Sequence, residues 1–197
     1  NTKLYTGTGS SQGITGVGFK PDWVWIKQRS GSEQHVLFDA VRGIQKYISS
    51  NTTSVESTTA TTLTAFNSDG FTQGGHGMTG QNGSTYSSWN WKANNYGQGY
   101  GDNNNDGSIS SKTSKSVTAG FSIVTWTGDG SKSATVGHGL GSELSCIIIR
   151  ERTGTDWWHN WSKGLSSNSH NVFFNNTNEE RSPAGDGHVK KLDNTST

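Results

Sequence analysis

One sequence pattern occurs twice along this chain of 197 residues, and it constrains the fold more than any other feature. The first copy opens with an aromatic residue, Thr, Gly, any residue and Gly, and the second copy repeats this motif 121 residues later. The five matches, in chain order, are residues 4–10 with 125–131, 16–19 with 137–140, 24–30 with 147–153, 42–43 with 163–164 and 47–52 with 172–177. Because all five keep one order with small insertions, we predict two tandem copies of one module.

The composition favours β-structure over disorder. Only 28% of the residues are hydrophobic, but the net charge is +1 and the chain contains 8 Trp, 7 Phe and 5 Tyr, enough to bury a core. The polar residues are mainly Ser, Thr, Asn and Gly, which are typical of strands and turns rather than helices. We therefore expect an all-β fold, an antiparallel β-sandwich that resembles a jelly roll. Either each copy forms its own sandwich or the two copies pair into one larger body.

Both copies contain a strand that is apolar on both faces, residues 23–26 and residues 146–149. This pattern predicts a central strand that is covered on both sides. A basic pair follows each strand, Lys27 and Arg29 in the first copy and Arg150 and Arg152 in the second, and we expect these pairs to mark the exit to solvent. The single cysteine, Cys146, is expected to be a buried strand residue.

The first copy continues beyond the point where the second one stops matching. Residues 35–39 read as a strand, residues 63–72 as a hairpin with Asp69-Gly70 at its turn, and residues 86–93 as a half-buried antiparallel strand. The second copy departs from the pattern after Thr177 and is expected to be incomplete. The predicted organisation is a first β repeat at 1–93, a Gly/Asn-rich linker at 94–112 and a second, incomplete repeat at 113–197.

Taken together, these motifs resemble a repeat found in structural proteins of marine bacteriophages. The stretches that carry the resemblance are 18–27, 35–39, 42–43, 47–51, 66–71 and 89–93 in the first copy, and 119–128 and 137–141 in the second. The resemblance covers most of residues 4–93 and roughly 109–177. It implies a domain of unknown function that is met in virion, tail-fibre or similar surface proteins, and therefore a location in the virion, an extracellular particle.

Residues 102–107, Asp-Asn-Asn-Asn-Asp-Gly, have the spacing of a calcium-binding loop. Thr113 stands where such a loop needs its bidentate Glu, so the segment Asp102 to Asp106 is read as a polar turn. The six histidines show no metal-binding spacing. The sequence therefore predicts no metal site and no cofactor.

Trp157, Trp158 and Trp161 crowd one short stretch and are the candidate binding residues. Adjacent strand residues point to opposite faces, so Trp157 or Trp158 is expected to face outward, where it would contact a sugar ring or a partner subunit. The alternative is a core residue next to a subunit-interface residue.

The expected function is that of a non-enzymatic structural component of a phage particle, in a tail fibre, an appendage or a capsid decoration, with a contribution to host-surface attachment. No nucleophile elbow or carboxylate pair stands out, so no catalytic residue is assigned. The expected partners are copies of the same chain, other virion proteins and a host-surface glycan. The balanced charge argues against nucleic acid, and the lack of an apolar run of about 18 residues argues against a membrane span. The alternatives are a carbohydrate-binding module and a phage glycan depolymerase.

Overall fold

The computed structural model describes residues 1–93, 101–131 and 133–181. The first part of the predicted linker, residues 94–100, and the end of the predicted second repeat, residues 182–197, lie outside the described residues. Within the described ranges the chain forms strands and no helix. The strands are β1 (Thr2–Thr6), β2 (Gln12–Ile14), β3 (Trp23–Gln28), β4 (Val36–Asp39), β5 (Lys46–Ser49), β6 (Ser57–Thr58), β7 (Leu63–Asn67), β8 (Gly70–Gln73), β9 (Thr85–Trp91), β10 (Asp102–Asn104), β11 (Ser111–Ser116), β12 (Phe121–Trp126), β13 (Cys146–Ile149), β14 (His159–Ser162) and β15 (Val172–Phe173).

Residues 1–93, called the N-terminal part below, form a two-layer sandwich. One layer is a six-stranded antiparallel sheet with the order β1-β9-β3-β4-β5-β6, and the other is a three-stranded sheet with the order β2-β8-β7. Apolar side chains from both sheets meet in one core, which contains Ile14, Val24, Ile26, Val36, Phe38, Leu63, Phe66, Phe71 and Tyr86. The all-β, antiparallel sandwich predicted from the sequence is confirmed.

Strand β3 lies in the middle of the large sheet and is covered on both faces, as predicted. Val24 and Ile26 point into the sandwich core and are fully buried. Trp23 and Trp25 point to the opposite, outer face of the sheet, where they pack beside Leu37 and Ile48. Because successive side chains of β3 point to opposite faces, this one strand contributes to the core on one side of the sheet and to a second apolar cluster on the other.

The hairpin predicted at residues 63–72 is confirmed as β7 and β8, with Asn67 opposite Gly70 across the turn. Strand β9 pairs with both β1 and β3. Its buried face is the polar one: Ser88 and Asn90 are 0% and 2% exposed, whereas Trp89 is 37% exposed on the outer face. The side-chain nitrogen of Asn90 donates to the backbone carbonyl oxygen of Asn1 at 3.1 Å and to Ser88.

Residues 101–131 and 133–181, called the C-terminal part, form two three-stranded sheets, β10-β11-β12 and β13-β14-β15. Both pack on the outer face of the six-stranded sheet. The Phe121 ring lies 5.8 Å from that of Trp23, and buried Trp158 contacts the cluster of Leu37 and Ile48. The C-terminal part therefore forms a third layer against the sandwich.

The segment predicted as a linker is partly sheet. Strand β10 and the first residues of β11 fall within residues 94–112, and Asn103 pairs with Lys112 across them. Thr and Ser make β11 a competent strand despite its polarity, and its residues Thr113 and Ser114 are buried. Composition alone marked this segment as a linker because the residues of β10 and β11 are all polar.

Strands β13 and β14 reproduce the pairing of β3 and β4. Trp23 lies opposite Asp39 in the first pair and Cys146 opposite Ser162 in the second, so both residue numbers increase by 123. The backbone bond from Ala40 N–H to the Asp22 carbonyl recurs as the bond from Lys163 N–H to the Ser145 carbonyl. These equivalences agree with the sequence match of 24–30 with 147–153, but they place Lys163 on Ala40 and not on Arg42, as the match of 42–43 with 163–164 requires. The tandem repeat stays a prediction.

The environments of the two strands differ. Among the described residues, β13 pairs only with β14 and forms one edge of its sheet, whereas β3 has β9 and β4 on its two sides. Cys146 is consequently exposed, not buried as predicted, and Ile148 is 36% exposed. The prediction that both strands are central and doubly covered was right for β3 and wrong for β13.

Candidate functional site

The three candidate tryptophans do not form an exposed cluster. Trp158 and Trp161 are only 4% and 6% exposed, and the Trp158 indole N–H donates to the backbone carbonyl of Ser49 at 2.9 Å. Trp157 is half-buried, stacks edge-on against Phe173 and lies 4.8 Å beneath the Arg181 guanidinium. Two of the three therefore pack the interior and are out of a ligand's reach, and the third is covered by a cation.

The calcium-like segment does not close around a common centre. Its first three residues are extended as β10, with Asp102 opposite Thr113. The side-chain oxygen of Asn104 accepts a hydrogen bond from the Asp106 backbone N–H at 2.8 Å, which makes a local turn. Within the described part of the chain, no group of three or more His, Cys, Asp or Glu side chains is arranged to hold a metal ion.

A largely buried carboxylate, Glu56, joins the N-terminal and C-terminal parts. It accepts two hydrogen bonds from Arg152, at 2.9 and 2.8 Å, and a third from Arg42 at 3.1 Å. Arg42 also bonds the carboxylate of Asp39 and the Leu37 carbonyl. Burial raises the pKa of Glu56, but the hydrogen bond from Arg152 and the charge of Arg42 outweigh it and lower the pKa overall.

The basic residues after β13 do not mark an exit to solvent, so this expectation was wrong. Arg150 donates to the carbonyl oxygens of Thr53, Ser54 and Gly154 at 2.7 to 3.0 Å, and Arg152 binds Glu56. Both arginines are therefore used to attach the C-terminal part to the loop that precedes β6. Because the two arginines are two positions apart, both side chains reach that loop. The sequence alone does not show that Glu56 lies there to pair with Arg152.

Four side chains form an apolar surface on the outer face of the six-stranded sheet, called the aromatic patch: Leu4, Trp25, Trp89 and Phe174. Leu4 and Phe174 are 63% and 41% exposed, and Trp89 is 37% exposed. The Trp25 ring joins the patch, since its centroid lies 5.9 Å from Trp89 and 5.8 Å from Phe174. Leu4 projects from the same face, two positions from the residue that pairs with Trp89. Exposed apolar side chains grouped on one face are typical of a contact surface.

A shallow open groove of about 260 Å³ lies at the end of the β10-β11-β12 sheet and is called the Trp126 groove. Its lining consists of Asn103, Ser110, Ser111, Lys112, Thr125, Trp126, Thr127 and Arg152. Trp126 is 39% exposed, and the lining contains two cationic residues and no carboxylate. The groove thus combines an aromatic residue, hydroxyl groups and positive charge.

Both surfaces were missed when the residues were read in sequence, although each leaves a signal. The strand predicted at residues 86–93 places Trp89 on one of its faces, but the exposure of that face depends on how much of the sheet the C-terminal part covers. Trp126 aligns with Tyr5, which is half-buried and stacked 5.2 Å from Tyr86 in the sandwich. The C-terminal part has no counterpart of the β7–β8 hairpin among its described residues. An aromatic residue at the position aligned with Tyr5, in a repeat that lacks this hairpin, is the sequence signal for an exposed ring.

No helix long and apolar enough to cross a membrane occurs among the described residues. Comparison with known proteins gave no match to a curated protein and none to a solved structure. One family does match, and its sequence model spans residues 1–197, including both predicted repeats. The chain belongs to the family described as Domain of unknown function (DUF7483).

Proposed function

We propose that the protein is a non-enzymatic structural component of a bacteriophage particle, in a tail fibre, an appendage or a capsid decoration, and that it contributes to host-surface attachment. It would act in the virion, next to other virion proteins and further copies of itself. The observation that carries the proposal is the aromatic patch, in which Leu4, Trp89 and Phe174 are exposed together. Such a surface is stabilised when a partner removes it from water.

The placement of the resembling residues also supports the proposal. The stretches 18–27, 35–39 and 66–71 lie mainly in β3, β4 and the β7–β8 hairpin, and they supply much of the sandwich core. The similarity to phage structural proteins is therefore carried by framework residues. A resemblance carried by framework residues indicates a common architecture, and the role then depends on the surfaces that this framework presents.

The test is the composition of the particle. Mass spectrometry of purified virions that encode this chain is expected to detect it in fixed proportion to the other structural proteins. The variant Trp89→Ser should be incorporated less well, because a polar side chain weakens the aromatic patch, whereas Val117→Ser, at an exposed position in the turn between β11 and β12, should be incorporated normally. Absence of the protein from purified virions would exclude the proposal.

A carbohydrate-binding role is the second candidate, and the Trp126 groove is the observation that favours it. Aromatic rings pack against sugar rings, and Lys112, Arg152 and the neighbouring hydroxyl groups can bond sugar oxygens. A glycan array should then show a signal that Trp126→Ala reduces by about tenfold, equivalent to about 1.4 kcal/mol. Incubation of the bound glycans with the protein, followed by mass spectrometry, separates binding from the cleavage expected of a depolymerase.

A further inference from the structure

The outer edge of β13 carries backbone N–H and C=O groups that can bond another strand. The bond from Lys163 N–H to the Ser145 carbonyl directs that carbonyl toward β14. Backbone groups alternate along a strand, so those of Ile147 and Ile149 also face β14, and those of Cys146 and Ile148 face the opposite edge. Among the described residues no strand pairs with that edge.

The equivalent strand of the N-terminal part shows what fills such an edge. There, β9 runs antiparallel along the side of β3 that faces away from β4, from Trp23 opposite Trp91 to Gln28 opposite Tyr86. Arg29 continues this ladder by donating its N–H to the Thr85 carbonyl at 2.7 Å. Since β13 and β14 have the register of β3 and β4, an antiparallel strand fits the open side of β13 in the same way.

We infer that the open edge of β13 pairs with β13 of a second copy of this chain, antiparallel and about a twofold axis centred on Ile147. In this register Cys146 of one protomer lies opposite Ile148 of its partner, and the reverse pair is identical. The two outward-facing residues of each strand then exchange all their backbone hydrogen bonds. The inference deepens the proposed structural role by naming the partner and the surface.

The sequence of β13 favours a copy of itself over other partners. The strand is Cys-Ile-Ile-Ile, so a twofold pairing places only uncharged side chains opposite one another. Three consecutive isoleucines have high strand propensity, and an edge strand without charge lacks the usual protection against pairing. A twofold contact also closes on itself and joins two three-stranded sheets into one of six strands, the size of the sheet in the N-terminal part.

Proline at position 148 separates backbone pairing from other causes of association. Proline is tolerated on an edge strand whose N–H faces outward, because no bond within the monomer is lost, but it removes the N–H that the partner needs. By analytical ultracentrifugation of the full chain we expect dimers that Ile148→Pro weakens at least tenfold. Ile148→Val keeps the N–H and the branched side chain, and its dissociation constant should stay within about twofold of the original.

A cysteine at the same position tests the register. In the twofold pair the Cα atoms of residues 146 and 148 are about 5.5 Å apart, within the range that a disulfide bridges. Ile148→Cys, treated with oxidised glutathione, should therefore give a covalent dimer on a non-reducing gel, whereas Ile149→Cys should give much less.

Two results would overturn the inference: a monomer at all accessible concentrations, or an Ile148→Pro variant that folds and dimerises as well as the original. A dimer that forms but is not cross-linked by Ile148→Cys would exclude the twofold register and therefore the pairing as stated. These outcomes are independent of the particle experiment, because a dimer can form in solution whether or not the protein belongs to a virion.

Discussion

At the scale of single residues, Glu56 is the position on which the attachment of the C-terminal part most depends. Its carboxylate is largely buried and bonds two arginines that are far apart in the sequence, Arg42 and Arg152. Removing this charge leaves Arg152 without its carboxylate partner, whereas Arg42 keeps its ion pair with Asp39. Leaving a partly buried cation unpaired costs more than the pair itself contributes. The ion pair between Lys163 and Glu143 is exposed at both side chains and is worth much less.

Glu56→Gln should lower the free energy of unfolding by about 2 kcal/mol at neutral pH, since charge-assisted hydrogen bonds are lost. Urea denaturation measures this, and Glu143→Gln, which removes an exposed ion pair, is the matched control with an expected change below about 0.5 kcal/mol. Equal midpoints for the two variants would show that Glu56 does not hold the two parts together.

The pH dependence has a defined sign. The pKa of Glu56 is lowered in the folded protein, so the unfolded chain takes up the proton first as the pH falls. The stabilisation by Glu56 is therefore complete above its ordinary value of 4.5 and is lost as the pH drops through the lower pKa of the folded state. Melting curves of the original protein and Glu56→Gln should accordingly converge in acid, and a constant difference down to the most acidic conditions would contradict this.

Single residues also show where sequence reasoning reached its limit. Trp157 and Trp158 lie just before β14 and not within a strand, although Trp157 is less buried than Trp158, in line with the expectation that one of them faces outward. The sequence did not show which residues Trp157 and Trp158 would contact. Trp158 meets Leu37 and Ile48, more than 100 residues away, and no local pattern encodes such a contact.

At the scale of elements, the hairpin of β7 and β8 depends on the glycine at its turn. Gly70 has φ of 139°, which side chains disfavour, and a Cβ atom there would collide with the backbone carbonyl oxygen of Ile14. This close approach lets Asp69 accept hydrogen bonds from Gly16 and Gly18 at 2.8 and 2.6 Å. The turn therefore joins β8 to the loop between β2 and β3.

Gly70→Ala should destabilise the fold by about 3 kcal/mol, from backbone strain and the displaced carbonyl. Gly13→Ala is the control, because Gly13 lies in β2 without a positive φ and with open space around it. Chemical denaturation should show a large shift for the first variant and almost none for the second. A shift of similar size in both would mean that the turn geometry is not responsible.

The two strands that are apolar on both faces show how far element prediction extends. Their existence as strands could be read from residues 23–26 and 146–149. The central position of β3 depends on β9, which contacts it from about 60 positions later in the chain. The sequence of β13 carries no sign that this neighbour is missing, because the same isoleucines would suit a covered strand.

At the scale of the whole molecule, the outer face of the large sheet unites the two parts. Trp158 inserts its indole against Leu37 and Ile48, while Phe121 covers Trp23 and Trp91 farther along the face. The outward aromatic positions of β3 in the sequence indicated a second covered face, but not that the C-terminal part would cover it. The sequence therefore predicted that a third layer exists, but not which part of the chain forms it.

Trp158→Ala should lower the melting temperature by roughly 10 °C, because deleting a buried indole costs about 4 kcal/mol and each kilocalorie shifts a chain of this size by about 2–4 °C. The variant Trp126→Ala removes the same side chain from an exposed position and should change the melting temperature only slightly. Differential scanning calorimetry compares the two, and similar melting temperatures would show that the contact between the layers adds little stability.

The position of β9 between β1 and β3 has a consequence for synthesis on the ribosome. Both neighbours leave the exit tunnel long before β9 does, since Thr2 pairs with Trp89 and Trp23 with Trp91. Until residue 91 has emerged, the nascent chain carries β1 without a partner and β3 paired with β4 on one side only. Contacts this distant in sequence slow folding and leave strand edges open to neighbouring chains. The chain is therefore most prone to aggregation while it is being translated.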